Sequence, residues 1–203
     1  MKNPKEETAK ELVEEMKEMI SSIEVGTKRT SNIVKSLRLF SRENTVNYIE
    51  VDIITGLEAT FNLLSNKLKQ GVIIEKDFEK EVMPIFCFPG QLNQVFMNIL
   101  LNAIQAIEGE GIIEIGIKEQ AENIIISIAD NGPGISDDKK QKIFEPFYTT
   151  KDIQEGTSLG LSITFGIIKK HKGTIEVKDN EPKGTKFIIS LPKRTKDLIR
   201  SIA

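Results

Sequence analysis

The segment QVFMNILLNAIQAI, residues 94–107, limits the fold more tightly than any other stretch of the chain. Val95, Phe96, Ile99, Leu100, Ala103, Ile104 and Ile107 make it apolar enough for an interior helix, yet Gln91, Gln94, Asn98, Asn102 and Gln105 recur through it at steps of three and four. On a helix that spacing lines the five amides up along one face. A buried amide left without a partner costs about 1–3 kcal/mol. The helix therefore belongs inside a core, with one side open either to buried backbone groups or to a ligand.

Composition narrows the classes such a core can serve. At 203 residues there is room for one ordinary domain and a smaller appendage. Twenty-eight Lys and Arg against 30 Asp and Glu leave a net charge of −2, which argues against a protein that binds nucleic acid by neutralising phosphates. The one cysteine, Cys87, sits in the apolar run VMPIFCF, so there is neither a disulfide framework nor a thiolate metal site, and a buried small hydrophobe is expected. No apolar run approaches the roughly 20 residues that span a bilayer, and MKNPKEETAK does not read as a signal peptide. The expectation is a soluble, cytoplasmic chain with no membrane contact of its own, whether whole or cut from something larger.

Upstream, Ala9, Leu12, Met16, Met19, Ile23, Gly26, Thr30, Ile33, Leu37 and Phe40 alternate strictly by three and four. That heptad seam predicts one long, coiled-coil-like helix that packs on partner helices and runs unbroken through Gly26. The composition changes after Arg42, dividing the chain into a helix over residues 1–43 and a domain over residues 44–203. Within the domain, ENTVNYIE leads into a short strand, and Asp52 caps a helix reaching to about Lys69 with Leu57, Phe61, Leu64 and Leu68 on one face. A strand at VIIEKDF and an apolar stretch at MPIFCF precede the striped helix, expected from about Gly90 to Ile107. GIIEIGIK and NIIISIA alternate as paired strands; after a loop, a short helix and a second loop come the helix LGLSITFGIIKKH and the strands TIEVK and TKFIISL. Strands and helices mix without regular βαβ alternation, which predicts an α+β two-layer sandwich.

Three glycine-bearing segments follow the striped helix. DNGPGI, residues 130–135, reads alone as a strand-ending turn, since Asn-Gly and Pro-Gly are ordinary turn dipeptides. IFEPFYTTK, residues 143–151, reads alone as a helix end with a buried Phe. GTSLGLSI, residues 156–163, opens a helix through glycines, and backbone N–H groups at such a start suit phosphate.

Taken in order, Asn-x-x-x-Asn, Asp-x-Gly-x-Gly, Phe-Glu-Pro-Phe and Gly-x-x-x-Gly-Leu within about 70 residues resemble the N box, first glycine box, F box and second glycine box of the GHKL (Bergerat) ATP-binding fold. That fold is shared by the sensor histidine kinases of two-component systems and their ATPase relatives. KGTKFIISLP resembles the family's closing Gly-Thr strand, and the helix ending in IVKSLRLFSR looks like the second helix of its dimerisation bundle. The resemblance implies ATP and Mg²⁺ as ligands. Asn102 would give its side-chain oxygen to the Mg²⁺, Asn98 and Gln105 would line the same face, and Asp130 would accept a hydrogen bond from the adenine amino group. Gly132 and Gly134 would let the backbone approach base and ribose, Ile135 and Phe147 would supply apolar walls, and Thr185 would lie on the closing strand. Lys151 would contact phosphate, and Gly156, Thr157, Ser158, Leu159, Gly160 and Leu161 would form the end of a lid and the phosphate-cradling helix start.

In the ATPase branch the position of Asn98 resembles a glutamate that activates water. A neutral amide cannot act as a general base, so the resemblance favours a kinase. It also implies homodimerisation through the N-terminal helix in the full-length protein, and a response-regulator receiver domain as partner. Two features depart from the pattern. Ser158 replaces the middle glycine of the usual second glycine box, at a cost of about 1 kcal/mol if the position needs a positive φ. The family's acceptor histidine, on the first bundle helix, has no counterpart, because the one histidine is His171 in IIKKHKGTIEV, expected instead as a helix-end histidine favourably placed in the dipole. A catalytically silent nucleotide-sensing scaffold and a protein-serine kinase on the same fold are the alternatives.

Overall fold

The computed structural model describes residues 12–24, 26–27, 48–64, 68, 71–79, 82, 84–148 and 159–193. They belong to two units, one holding residues 12–27 and Leu159, the other holding residues 48–148 and 160–193. In the first, residues 12–24 form helix α1, and residues 26–27 are helical too. The Thr27 hydroxyl donates to the Ile23 carbonyl at 2.8 Å, so the helical turn passes Gly26 as the heptad register predicts. The part of that helix expected from residue 28 onward lies outside the described residues.

The second unit is an α+β sandwich. A five-stranded sheet runs in the order β2 (Val72–Phe78), β4 (Gly111–Gln120), β5 (Asn123–Asp130), β7 (Thr185–Pro192), β6 (Thr174–Asp179). β2 and β4 are parallel and the other neighbours antiparallel. Alternation along β4 and β5 sends Ile113, Ile115 and Ile117, and Ile124, Ile126 and Ile128, into the core at 0–1% exposure, while Glu114 and Lys118 face water. Helices α2 (Ile53–Leu64), α3 (Pro89–Ala106) and α5 (Gly160–Lys170) form the second layer; α3 packs on α2, α5 and β5.

Local chemistry fixes the helix ends. Asp52 caps α2, taking the Ile54 N–H at 2.9 Å and the Thr55 hydroxyl at 2.7 Å. Leu57, Phe61 and Leu64 are buried as expected, while residues 65–67 lie outside the described set. Pro89 opens α3, where its missing N–H is not needed. The stretch MPIFCF contains strand β3 (Ile85–Cys87), antiparallel to β1 (Ile49–Val51). Cys87 is 1% exposed, and burial pushes its thiol up to about 11, an inert hydrophobe as expected.

His171 stands just past the last residue of α5, the helix-end position expected, but its surroundings disfavour the charge that would profit from the dipole. Its ring is 3% exposed, in contact with Phe88 and near Tyr48. Nε2 accepts the Phe88 N–H at 3.0 Å, so the ring is the neutral tautomer whose Nδ1–H donates to the Ile167 carbonyl at 2.8 Å. Burial above all, and Lys170 beside it, hold its pKa below the ordinary imidazole value. The ring thereby ties the end of α5 to the residue preceding α3.

Candidate functional site

The apolar face of α3 is sealed in the core, with Leu92, Val95, Phe96, Ile99, Leu100, Ala103 and Ile104 buried. Its amide row emerges at the edge of that core: Gln91, Gln94, Asn98 and Asn102 are half-buried and Gln105 is exposed. Asn98 has a structural task. Its Nδ2 donates to the Gly160 carbonyl at 2.9 Å and to the Thr164 hydroxyl at 3.2 Å, stitching α3 to the first turn of α5. Among the described residues no hydrogen bond reaches its Oδ1. Asn102 stands one turn further along the same face.

Strand β5 ends in Asp130, only 4% exposed, opposite the equally buried Thr185 of β7. The Gly132 N–H donates to its Oδ1 at 2.9 Å, and the Thr185 N–H also binds the carboxylate. Burial raises the Asp130 pKa while those two N–H groups oppose the rise. The next residue continues the sheet in disguise: the Asn131 N–H donates to the Ile112 carbonyl at 3.3 Å, and its Oδ1 accepts the Ile112 N–H at 3.0 Å.

The loop is gripped from two sides. A Cβ on Gly132 would stand 2.9 Å from Asp130 Oδ1 and 3.1 Å from both Cβ and O of Ala106, so the loop lies directly on the end of α3. Gly134, at φ +83°, occupies backbone that favours glycine, and a Cβ there would meet the Gly184 carbonyl at 3.2 Å. Packing within the protein thus already explains both glycines. A cleft of about 500 Å³ opens beside the loop, bordered by Gly134, half-buried Ile135, Lys139, Asn180 and Lys183.

The structure therefore brings Asn98, Asn102, Asp130, Gly132, Gly134 and Thr185 into one contiguous region, through the contact of Gly132 with Ala106 and the pairing of Asp130 with Thr185. Gly160 and Leu161 are half-buried at the start of α5, and Leu159 is buried. Phe147, expected as an apolar wall, is instead 67% exposed at φ +67°; burying that ring takes a surface the described residues do not supply. Lys151, Gly156, Thr157 and Ser158 lie outside the described residues. Sequence reasoning missed Thr164 and Asn180. Thr164 carried a signal, since a hydroxyl amid GLSITFGII must find a partner once buried, and it is 0% exposed. Asn180 carried none, because Asn in DNEPKG reads only as turn chemistry.

Comparison with known proteins gives a concordant result. The family model described as histidine kinase-, DNA gyrase B-, and HSP90-like ATPase matches residues 88–195. Sporulation kinase E of Bacillus subtilis (strain 168) is 37% identical over 169 residues, 82% of this chain but 23% of that protein, so the chain spans only a part of its relative's length. The nucleotide-free catalytic domain of histidine kinase ThkA superposes with a TM-score of 0.67 at 30% identity, covering 72% of this chain and 96% of that one. Histidine kinase ThkA in complex with response regulator protein TrrA gives 0.69 at 27% identity, covering 96% and 53%. A family match over more than half of the chain, joined to 30% identity across nearly all of a solved catalytic domain, decides the matter: this chain belongs to the histidine kinase-, DNA gyrase B- and HSP90-like ATPases, and carries an ATP-binding catalytic domain of the histidine-kinase type.

Proposed function

We propose that this domain binds Mg-ATP and transfers the γ-phosphoryl group to a histidine outside this chain, for relay to the receiver domain of a response regulator. The observation that carries the reading is a buried carboxylate, Asp130, joined by the Gly132–Ala106 contact to the helix that bears Asn98 and Asn102. Asp130 accepts the adenine amino group; Gly132, Gly134, Ile135 and Thr185 frame the base. Phe147 joins them only by swinging in from its exposed position. Asn98 through Oδ1, Asn102 and Gln105 face the phosphates, with Lys151 and residues 156–161 closing from the lid.

The donor set fits magnesium. Among the described residues no three His, Cys, Asp or Glu gather to hold a metal ion, whereas Asn102 offers a neutral amide oxygen. Mg²⁺ keeps several waters and takes few protein ligands when phosphates supply the rest. Bound there, it neutralises phosphate charge. The protein's own contribution is positioning: Asn98 spends its amide N–H groups on Gly160 and Thr164 and has no base to offer water, which favours transfer over hydrolysis. His171, buried with both ring nitrogens engaged, is not the acceptor.

The exposed apolar residues Leu12, Met16, Met19 and Ile23 of α1 support homodimerisation through the N-terminal helix. The likeness to ThkA bound to TrrA supports a response regulator as partner. The location proposed is the cytoplasm, where ATP is available, without nucleic-acid or membrane contact by this chain; no helix among the described residues is long and apolar enough to cross a membrane.

The test is calorimetric titration with ATP, with and without Mg²⁺, followed by transfer from γ-labelled ATP to a supplied bundle helix carrying a histidine and an adjacent acidic residue. The expected product is acid-labile and base-stable, as for a phosphorus–nitrogen bond. Acid-stable label on serine would move the assignment to a serine kinase, and a folded chain that binds no ATP would move it to a silent scaffold.

A further inference from the structure

The turn between β6 and β7 has no part in the reading above except through Thr185, yet it is built into the Asp130 loop. The Asn180 N–H donates to the Gly184 carbonyl at 3.1 Å and closes the turn. The half-buried Asn180 side chain then reaches out of it: Nδ2 donates to the main-chain carbonyl of Asp130 at 3.1 Å. At Gly184, φ is +129° and a Cβ would lie 1.8 Å from that same carbonyl oxygen, so the turn rests on the Asp130 peptide with no room for a side chain. On the far side Lys140 binds Asp179 at 2.6 Å and Asp137 at 2.7 Å, tying the end of β6 to the helix that follows the loop, α4 (Asp137–Lys140). Asp130 is thus held at two places: its carboxylate by the N–H groups of Gly132 and Thr185, its carbonyl by Asn180.

Resting on the reading that Asp130 accepts the adenine amino group, we propose that Asn180 is a positioning residue for nucleobase selection, fixing the Asp130 peptide so that the carboxylate keeps the bearing an exocyclic amino donor requires. A carboxylate separates an amino purine from an oxo purine because the oxo group turns lone pairs toward it. That separation depends on angle, since hydrogen bonds weaken steeply below about 120°. Asn is suited to the task because its amide donates; Asp, of the same shape, would set a carboxylate oxygen against the Asp130 carbonyl.

The experiment compares binding of ATP and inosine triphosphate, which carries an oxo group in place of the amino group, to the 203-residue chain and to Asn180→Asp, Asn180→Ser and Asp130→Asn, with melting temperatures as the folding control. Asn180→Asp is expected to weaken ATP about tenfold and inosine triphosphate less than about twofold, the loss of one oriented hydrogen bond. Asn180→Ser, which keeps a shorter donor, falls between and serves if the Asp variant does not fold. Equal losses for both nucleotides would overturn the proposal, since a residue that only supports the fold cannot tell the bases apart. An ATP preference that collapses in Asp130→Asn but is unmoved in both Asn180 variants also overturns it, while leaving the ATP reading intact. If the unaltered chain shows no preference, or Asp130→Asn does not change it, the base reading itself fails and the proposal falls with it.

Discussion

Helices α1 and α3 carry rows of residues at the same three-and-four spacing and of opposite chemistry. On α1 the row is apolar and in water: Leu12, Met16, Met19 and Ile23 are 55–67% exposed, and the helix is held by local interactions such as the exposed Lys17–Glu14 pair, worth a few tenths of a kcal/mol at about its best. On α3 the apolar residues are buried and the row is made of amides. Each helix shows the group its surroundings least accommodate. An exposed apolar row asks for another protein surface; a polar row at the edge of a core asks for hydrogen-bonding partners, from the protein or from a ligand.

The strongest way to break this contrast is at Asn102. If the α3 row serves a ligand, Asn102→Ala weakens Mg-dependent ATP binding about 100-fold, near 2.7 kcal/mol, in a chain that still folds. Calorimetry reads the affinity and a thermal scan reads the fold. A variant that melts early yet binds ATP normally would make the row structural throughout.

The next effect concerns what α3 is anchored to. His171 accepts the N–H of Phe88 at its start, and burial lowers the imidazole pKa. A histidine with a folded-state pKa below its unfolded value binds its proton more readily when unfolded. The contribution of His171 is therefore fully present above about pH 6.5 and is lost as the pH falls from there toward the folded-state pKa, at up to about 1.4 kcal/mol per pH unit. The neighbouring Lys170 acts in the same direction: its charge lowers the imidazole pKa, and its Nζ lies 4.6 Å from the Phe88 ring centre. Denaturant unfolding at pH 7.5 and 5.5 checks this, with α1, which has no histidine, as the contrast: circular dichroism of a peptide of residues 12–27 should show no such step.

Within α3, Asn98 carries a structural load that can be measured. Asn98→Ala removes the partner of the Gly160 carbonyl and the buried Thr164 hydroxyl, so a loss of about 1–2 kcal/mol in stability is expected on top of any effect on ATP. An Asn98→Ala chain that melts like the unaltered one would show that the stitch from α3 to α5 adds nothing to the fold.

These differences mark how far the sequence could be read. Strands β4 and β5 were legible because one face is buried and the other wet, which forces strict alternation; α3 was legible because its two chemistries repeat with a helical period. β3 read only as an apolar stretch, since a strand of three residues has too few positions to display a period and its partner β1 lies more than 30 residues upstream. The place of His171 at a helix end was legible, but its burial against Phe88 and near Tyr48, distant in sequence, is a tertiary fact. The glycines of DNGPGI were recognised, but their tight contacts with Ala106 and Gly184 come from elements that sequence cannot bring together.

The smallest expected effect sharpens the contrast most. Ile23 is 67% exposed, so Ile23→Glu removes little packing and should change melting by less than about 0.5 kcal/mol. Ile99, 0% exposed on α3, offers the opposite case, where a glutamate would bury an unpaired charge. If the α1 row is a contact surface for a second copy, Ile23→Glu nevertheless turns the self-associating chain into a monomer in sedimentation experiments at high concentration, because a carboxylate at a seam position must shed its water to pack. Loss of association with the melting temperature unmoved would show that the hydrophobic surface of α1 works between molecules and that of α3 within one. A chain that is monomeric before the substitution would instead leave the α1 row without the partner its chemistry asks for.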